Sequence, residues 1–173
     1  SILSKDYLYR IIILAIFEKN KPLIILDEMN NMKEHLPLVT LGIPIYNAAE
    51  LVEKTLLSAL DQTYPNMEYL LIDDKGDSMD IVRRVLAGRP RREVVRIIDQ
   101  KKNRGIGAAR NAILDNASGK YLFTMDADDV IIRECIEILV NKMVEHPVDF
   151  VAASFGAGIC REKSIPVVVI LIY

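Results

Sequence analysis

The sequence predicts an α/β fold, a mostly parallel Rossmann-like sheet with helices on both faces. Two observations carry this. Short apolar runs alternate with segments of helical period along the middle of the chain, and the runs are apolar almost throughout, as strands covered on both faces must be. A third bears on function: several runs end in acidic or polar clusters. "KYLFTMDADDV" ends a strand-like run in Asp126, Asp128 and Asp129, carboxylates that repel one another and resist burial unless a positive charge joins them.

The elements follow in order. "LVTLGIP", Leu38 to Pro44, reads as a strand closed by proline. "NAAELVEKTLLSALDQ" reads as a helix with Leu51, Val52, Leu56, Ala59 and Leu60 on its apolar stripe, and Asn47 with Glu50 resembles a capping box. After the turn "YPN", "MEYLLIDD" is a second strand ending in Asp73 and Asp74. Ser78 caps a helix carrying Ile81, Val82, Val85 and Leu86 that stops at Gly88. "EVVRIID", Glu93 to Asp99, is a third strand, and "GIGAARNAILDNASG" a glycine-led helix. "KYLFTMD" is the fourth strand. "VIIRECIEILVNKMVEH" places Ile132, Cys135, Ile136, Leu139 and Met143 on one face, and "VDFVAASF" is a fifth strand.

Composition narrows the class. The chain has 173 residues, 51% hydrophobic and 27% charged, which is globular in character. A formal net charge of −2 gives no sign of a nucleic-acid partner, and the arginines from Arg83 to Arg92 read as a solvated face. Cys135 and Cys160 lack metal-ligand spacing and suggest no disulfide framework, so the cytoplasm is the expected compartment, with peripheral attachment at the inner membrane face as the alternative. "YLYRIIILAIF" is too short to span a bilayer and contains Arg10; "IPVVVILIY" is shorter and β-branched, hence a strand; no transmembrane segment is expected.

In doubly covered parallel sheets, ligands bind outside the carboxyl ends of the strands. Those ends carry Pro44-Ile45-Tyr46-Asn47, Asp73-Asp74, Asp99 and Asp126-Ala127-Asp128-Asp129. The helix starting near Gly105 aims amide groups at the same edge, where Arg104 and Arg110 add charge. Carboxylates beside a phosphate-attracting helix end suggest a divalent cation, Mg²⁺ or Mn²⁺, bridging carboxylate and diphosphate. An EF-hand fits Asp126, Asp128 and Glu137 by spacing, but Ile131 stands where its sharp turn needs glycine.

The stretches "IPIYNAAELVEKTLLSALDQTYPNMEYLLIDD" and "NRGIGAARNAILDNASGKYLFTMDADD" resemble the opening and middle of family 2 glycosyltransferases, the second ending in the family's Asp-x-Asp motif. The resemblance implies a GT-A fold, a nucleotide-diphospho-sugar donor, with UDP the expected nucleotide, a divalent metal, and sugar transfer with inversion to an unspecified saccharide, lipid-linked or protein acceptor. It implies that Pro44, Tyr46 and Asn47 lie against the base, Asp74 accepts from a base N–H, and Asp73 supports that edge. Arg110 would face the diphosphate, Asp126 the ribose or a metal-bound water, and Asp128 the metal, with Asp129 close behind.

The implied domains are an extension of unknown role over 1–35, a donor-binding core over 36–155, and a strand or acceptor-region remnant over 156–173. "DDKGDSMD" departs from the family's usual Gly-Ser turn, so Asp77 and Asp80 receive no role. Only 44 residues follow Asp129, and the family's general base lies further along. The expectation is a chain truncated after the Asp-x-Asp region, with Glu162 the remaining candidate base. A non-catalytic nucleotide-sugar binder stays open on that ground. A receiver-like signalling domain is the weaker alternative, because its acidic pair ends the first strand and this one ends the second.

Overall fold

The computed structural model describes residues 36–89, 92–146, 148–151, 153–155 and 165–167. The chain divides into two compact units, Ser1–Pro37 and Leu38–Tyr173, and every element below belongs to the second. The elements run β1 (Val39–Ile45), α1 (Val52–Leu60), β2 (Met67–Asp73), α2 (Met79–Leu86), a 3₁₀ turn (Arg92–Val94), β3 (Val95–Asp99), α3 (Ile106–Asn116), β4 (Tyr121–Thr124) and α4 (Cys135–Glu145). β1 to β4 form one sheet in the order β3-β2-β1-β4, and all three pairings are parallel. This is the α/β architecture expected from the alternating runs.

The order fixes where a ligand can enter. β1 to β2 to β3 steps one way across the sheet, and α3 then carries the chain back past β1 to β4. Right-handed crossovers place α1 and α2 on one face and α3 on the other. The direction reverses between β1 and β4, and that switch point opens a crevice at the carboxyl ends of the strands.

Packing follows the pleat. Leu70, Ile72 and Leu122 form one buried cluster with Ala109 and Ile113 of α3. On the opposite face, Ile136, Leu139, Val140 and Met143 of α4 flank Val39, Tyr121 and Phe123. α3 comes so close to β1 that a Cβ on Gly42 would stand 2.4 Å from Cγ2 of Ile113. That glycine is there for the helix to pass, since φ needs no relief at this position.

Several local expectations are corrected. The Asn47–Glu50 capping box does not form: Asn47 adopts a left-handed φ of 47°, and a turn closed by the Leu51 and Val52 amides on the Ala48 carbonyl precedes the helix. A left-handed Asn47 lacks the extended backbone of an N-cap, and the neighbouring Ala48 amide donates instead to the Ser78 hydroxyl at 2.8 Å. Leu51 lies off the buried face of α1 and is exposed, and Ile132 lies in a loop because α4 begins only at Cys135. The fifth strand is shorter than expected and leaves the main sheet: β5 (Ala153–Phe155) pairs antiparallel with β6 (Ile165–Val167). The Tyr7–Phe17 run, Cys160 and Glu162 lie outside the described residues. No described helix is long and apolar enough to cross a membrane.

Gly42→Ala should cost about 1–3 kcal/mol by overpacking. Ile113→Ala should offset part of that cost, so the double variant is less destabilised than the two single losses added together. Urea midpoints of the four proteins check both statements.

Candidate functional site

A cleft of about 550 Å³ opens at the switch point. Its walls are the exit of β1 (Pro44, Tyr46, Asn47, Ala48), Leu51, Asp74 after β2, the start of α3 (Gly105, Ile106, Ala109) with Asn103, and Asp126 to Asp128 after β4. Of the expected site residues, the structure gathers Pro44, Tyr46, Asn47, Asp74, Asp126 and Asp128 around one space.

Asp74 is the buried pivot, 2% exposed. Its Oδ1 accepts from the Arg104 amide at 2.7 Å and its Oδ2 from the Gly105 amide at 2.9 Å. Its own amide donates to the Ile45 carbonyl at 3.0 Å. The carboxylate thus meets the positive end of α3, which compensates its desolvation without a side-chain cation. Gly105, at φ 82°, supplies the backbone turn that points the amide inward. Each oxygen keeps a lone pair for a further donor.

Asp73 does not support that edge. Its side chain takes the Lys75 amide at 2.9 Å and lines a separate hollow with Gly76, Asp77, Asp80 and Arg83. Asp73 ends β2 on the face opposite Leu70 and Ile72, and Asp74 follows it on their side. Lys75 bridges Asp73 at 3.4 Å and Asp99 at 2.8 Å. The hydrogen bond from Lys75 and the Lys101 amide hold the Asp99 carboxyl down at about 2.

The Asp-x-Asp loop divides its carboxylates in the same way. Asp126 and Asp128 line the cleft, and Arg110 reaches from α3 to Asp126 Oδ1 at 2.9 Å. Asp129 instead accepts from the Asp126 amide at 3.3 Å while its own amide donates back to the Asp126 carbonyl. It closes the turn and does not line the cleft. Burial raises its pKa, and the Asp126 and Asp128 charges push the same way against the Asp126 amide bond. Among the described residues no three His, Cys, Asp or Glu side chains gather as a ready metal centre. Of the expected metal residues Asp126, Asp128 and Asp129, the first two line the cleft and the third does not.

Sequence reasoning missed the residues that hold these loops. Ser78, fully buried, accepts from the Ala48 amide and donates to Asp77 Oδ1 at 2.9 Å, so it docks the β1 exit rather than capping α2. Gly76 lets that exit pass: a Cβ there would meet the Asn47 nitrogen at 2.3 Å. Thr55 and Ser58 of α1, with Gln62 just past its end, bind the loop after β4. Their three- and four-residue spacing in the sequence was the available signal.

The Lys75 bridge gives a pH test. Asp99, lowered in the fold, contributes stability that is present above its ordinary value of 3.8 and lost as pH falls through about 2. In Lys75→Met, Asp99 should titrate closer to 3.8, and the stability gap to the parent should narrow as pH falls across that window. Carboxyl-detected NMR titration and acid unfolding read the two effects.

Comparison with known proteins now places the chain. The family model for glycosyl transferase family 2 matches residues 40–168. An uncharacterized glycosyltransferase of Haemophilus influenzae is 33% identical over 114 residues, 65% of this chain and 44% of the relative. The Escherichia coli UDP-Glc:alpha-D-GlcNAc-diphosphoundecaprenol beta-1,3-glucosyltransferase WfgD is 32% identical over 119 residues, 68% of this chain and 46% of the relative. The chain thus spans less than half the length of these curated relatives. Among solved structures, Staphylococcus aureus TarS 1-349 superposes with a TM-score of 0.61 at 23% identity, over 71% of this chain and 38% of that one. The mannosyltransferase PcManGT of Pyrobaculum calidifontis, solved with GDP-Man and Mn²⁺, superposes with a TM-score of 0.52 at 28% identity, over 57% of this chain and 29% of that one. With the family model covering most of the chain and the same fold recurring in these enzymes, this chain belongs to glycosyl transferase family 2.

Proposed function

We propose that residues 36–155 form the donor-binding core of a metal-dependent transferase. It moves a sugar from a nucleoside diphosphate, most readily UDP, to an acceptor hydroxyl with inversion at the anomeric carbon. The carrying observation is the single cleft that joins a buried carboxylate, Asp74, to the paired carboxylates Asp126 and Asp128 across the start of α3. TarS has been solved with UDP and with UDP-GlcNAc, and PcManGT with GDP-Man and Mn²⁺, which supports a nucleotide-sugar donor and a divalent metal for a chain of this fold.

The donor is read from one end of the cleft to the other. Pro44, Tyr46 and Asn47 lie against the base. Asp74, its lone pairs only partly used, accepts from the ring N–H. The amide groups at the start of α3 favour the diphosphate. Arg110 is held by Asp126 here and serves the diphosphate from the same position. Asp128 and Asp126 offer oxygen ligands only, and two carboxylates with phosphate oxygens and waters suit Mg²⁺ or Mn²⁺ without a third protein ligand. The bound cation supplies charge neutralisation for the leaving nucleoside diphosphate. Tyr46 and Leu51 are exposed apolar groups along the same wall, suited to stacking rather than to charge. Residues 156–173 are assigned to a strand or a remnant of the acceptor region, and 1–35 to an extension of unknown role.

Calorimetric titration of UDP, GDP and TDP with and without Mn²⁺ tests this reading. UDP should bind tightest, and Mn²⁺ should strengthen it. Asp128→Asn should abolish most of the Mn²⁺ gain while the fold survives, and an unchanged gain would remove the metal assignment. Asp74→Asn should weaken UDP by roughly 1.5–3 kcal/mol, the size of a charge-assisted hydrogen bond, and leave inorganic pyrophosphate less affected. Equal losses for both ligands would show that Asp74 acts by holding the start of α3 and not by reading the base.

A further inference from the structure

The segment from Asp126 to Glu134 carries the proposed cation ligands but lies outside both strand and helix. Its backbone is held from α1. The Thr55 hydroxyl, fully buried, donates to the Ala127 carbonyl at 2.8 Å. Ser58 Oγ accepts from the Ile131 amide at 3.3 Å. Gln62, 2% exposed, donates from Nε2 to the Ile132 carbonyl at 2.8 Å and accepts at Oε1 from the Ile136 amide at 3.0 Å. Two side chains of α1 and one just past its end therefore satisfy three backbone groups of this segment and one of α4, all some seventy residues away in sequence.

Ala127 stands between the two cleft carboxylates and is itself buried, whereas Asp128 is exposed. Among the described residues none hydrogen-bonds the Asp128 carboxylate, so its aim rests on the backbone beneath it. Fixing the Ala127 carbonyl fixes the peptide plane that joins Ala127 to Asp128, and with it the position of the Asp128 Cα from which the side chain leaves. Resting on the donor-site reading above, we propose that Thr55, seconded by Ser58 and Gln62, is a positioning residue for the cation-binding arm. It acts through the Ala127 carbonyl and touches neither nucleotide nor metal. Partners of this kind behind metal ligands commonly control affinity as strongly as a ligand does.

The test uses the full chain and the variants Thr55→Val, Thr55→Ser and Ser58→Ala. Valine keeps the shape and loses the hydroxyl, serine keeps the hydroxyl, and alanine at 58 removes the bond from Ile131 together with the Ser58 hydroxyl's own bond to the Thr55 carbonyl at 2.9 Å within α1. UDP binding is measured over a series of Mn²⁺ concentrations and without metal, and amide hydrogen exchange is followed over 126–132. In Thr55→Val the Mn²⁺ concentration that gives half the gain in UDP binding should rise roughly tenfold or more. Metal-free UDP binding should hold, and amides of 126–132 should exchange faster while those of β1 and β2 keep their rates. Thr55→Ser should restore the parent behaviour, and Ser58→Ala should show the same split at smaller size, which keeps the test decisive if Thr55→Val folds poorly. Equal loss of metal-free and Mn²⁺-assisted binding, or unchanged exchange over 126–132, overturns the inference and leaves the donor reading standing. Absence of any Mn²⁺ gain in the parent protein overturns the donor reading instead, and the claim about the cation arm falls with it.

Discussion

The carboxylate of Asp74 is the constraint on which the cleft depends. Buried at the end of β2, it joins three chain segments that share no sequence proximity: its amide is bonded to the exit of β1, and its two oxygens hold the amides that lead into α3. Hydrogen bonds to a charged acceptor are worth roughly 1.5–3 kcal/mol each, and a buried carboxylate without them would be untenable. The start of α3 and the anion therefore require each other. Where α3 begins determines how it passes Gly42, and its passage over β1 sets the back wall of the crevice.

Around this pivot the acidic residues at the strand ends divide into two kinds. Asp73 and Asp99 serve the frame: each takes the amide two residues on, and Lys75 stands between them. Asp129 closes a turn. Asp126 and Asp128 remain directed to the cleft with Asp74. The repulsion that makes an acidic run in the sequence puzzling is thus lowered by dispersal before any cation is considered. Arg110 neutralises Asp126 locally, and α1 keeps the loop in place by bonding its backbone rather than its charges.

The four parallel strands were legible because runs such as Val39–Ile45 and Met67–Asp73 are apolar on both faces, a pattern that solvent-facing segments do not show. The rule that ligands bind beyond the carboxyl ends of such strands pointed to most of the residues that line the cleft. Three things were not legible locally. The helix after β1 starts late because Asn47 is left-handed and lacks the extended backbone of a cap, while Ser78, thirty residues on, docks the neighbouring Ala48 amide. Leu51 and Ile132 looked like core by spacing, yet one sits at the mouth of the cleft and the other in the loop after β4. The third was the choice between Asp73 and Asp74, which the pleat decides: Asp74 continues the face of Leu70 and Ile72, the face that α3 covers. That choice could have been read from the sequence once α3 was assigned a side.

β1, β2 and β3 all leave the sheet through a left-handed residue placed two positions past the last strand residue, at Asn47, Lys75 and Lys101. A left-handed residue reverses the chain within a very short span, so these exits hold no spare length. An inserted residue at such a turn rotates everything downstream of it and cannot be taken up as slack. The rim where the strands begin is held as closely. The Ser118 amide donates to Glu68 Oε1 at 2.6 Å, the Gly119 amide to Thr40 Oγ1 at 2.9 Å, and a Cβ on Gly119 would stand 2.5 Å from the Thr40 nitrogen. The Asn66 carbonyl takes the Val39 amide at the start of β1. The molecule is therefore intolerant of length change at both rims of the sheet.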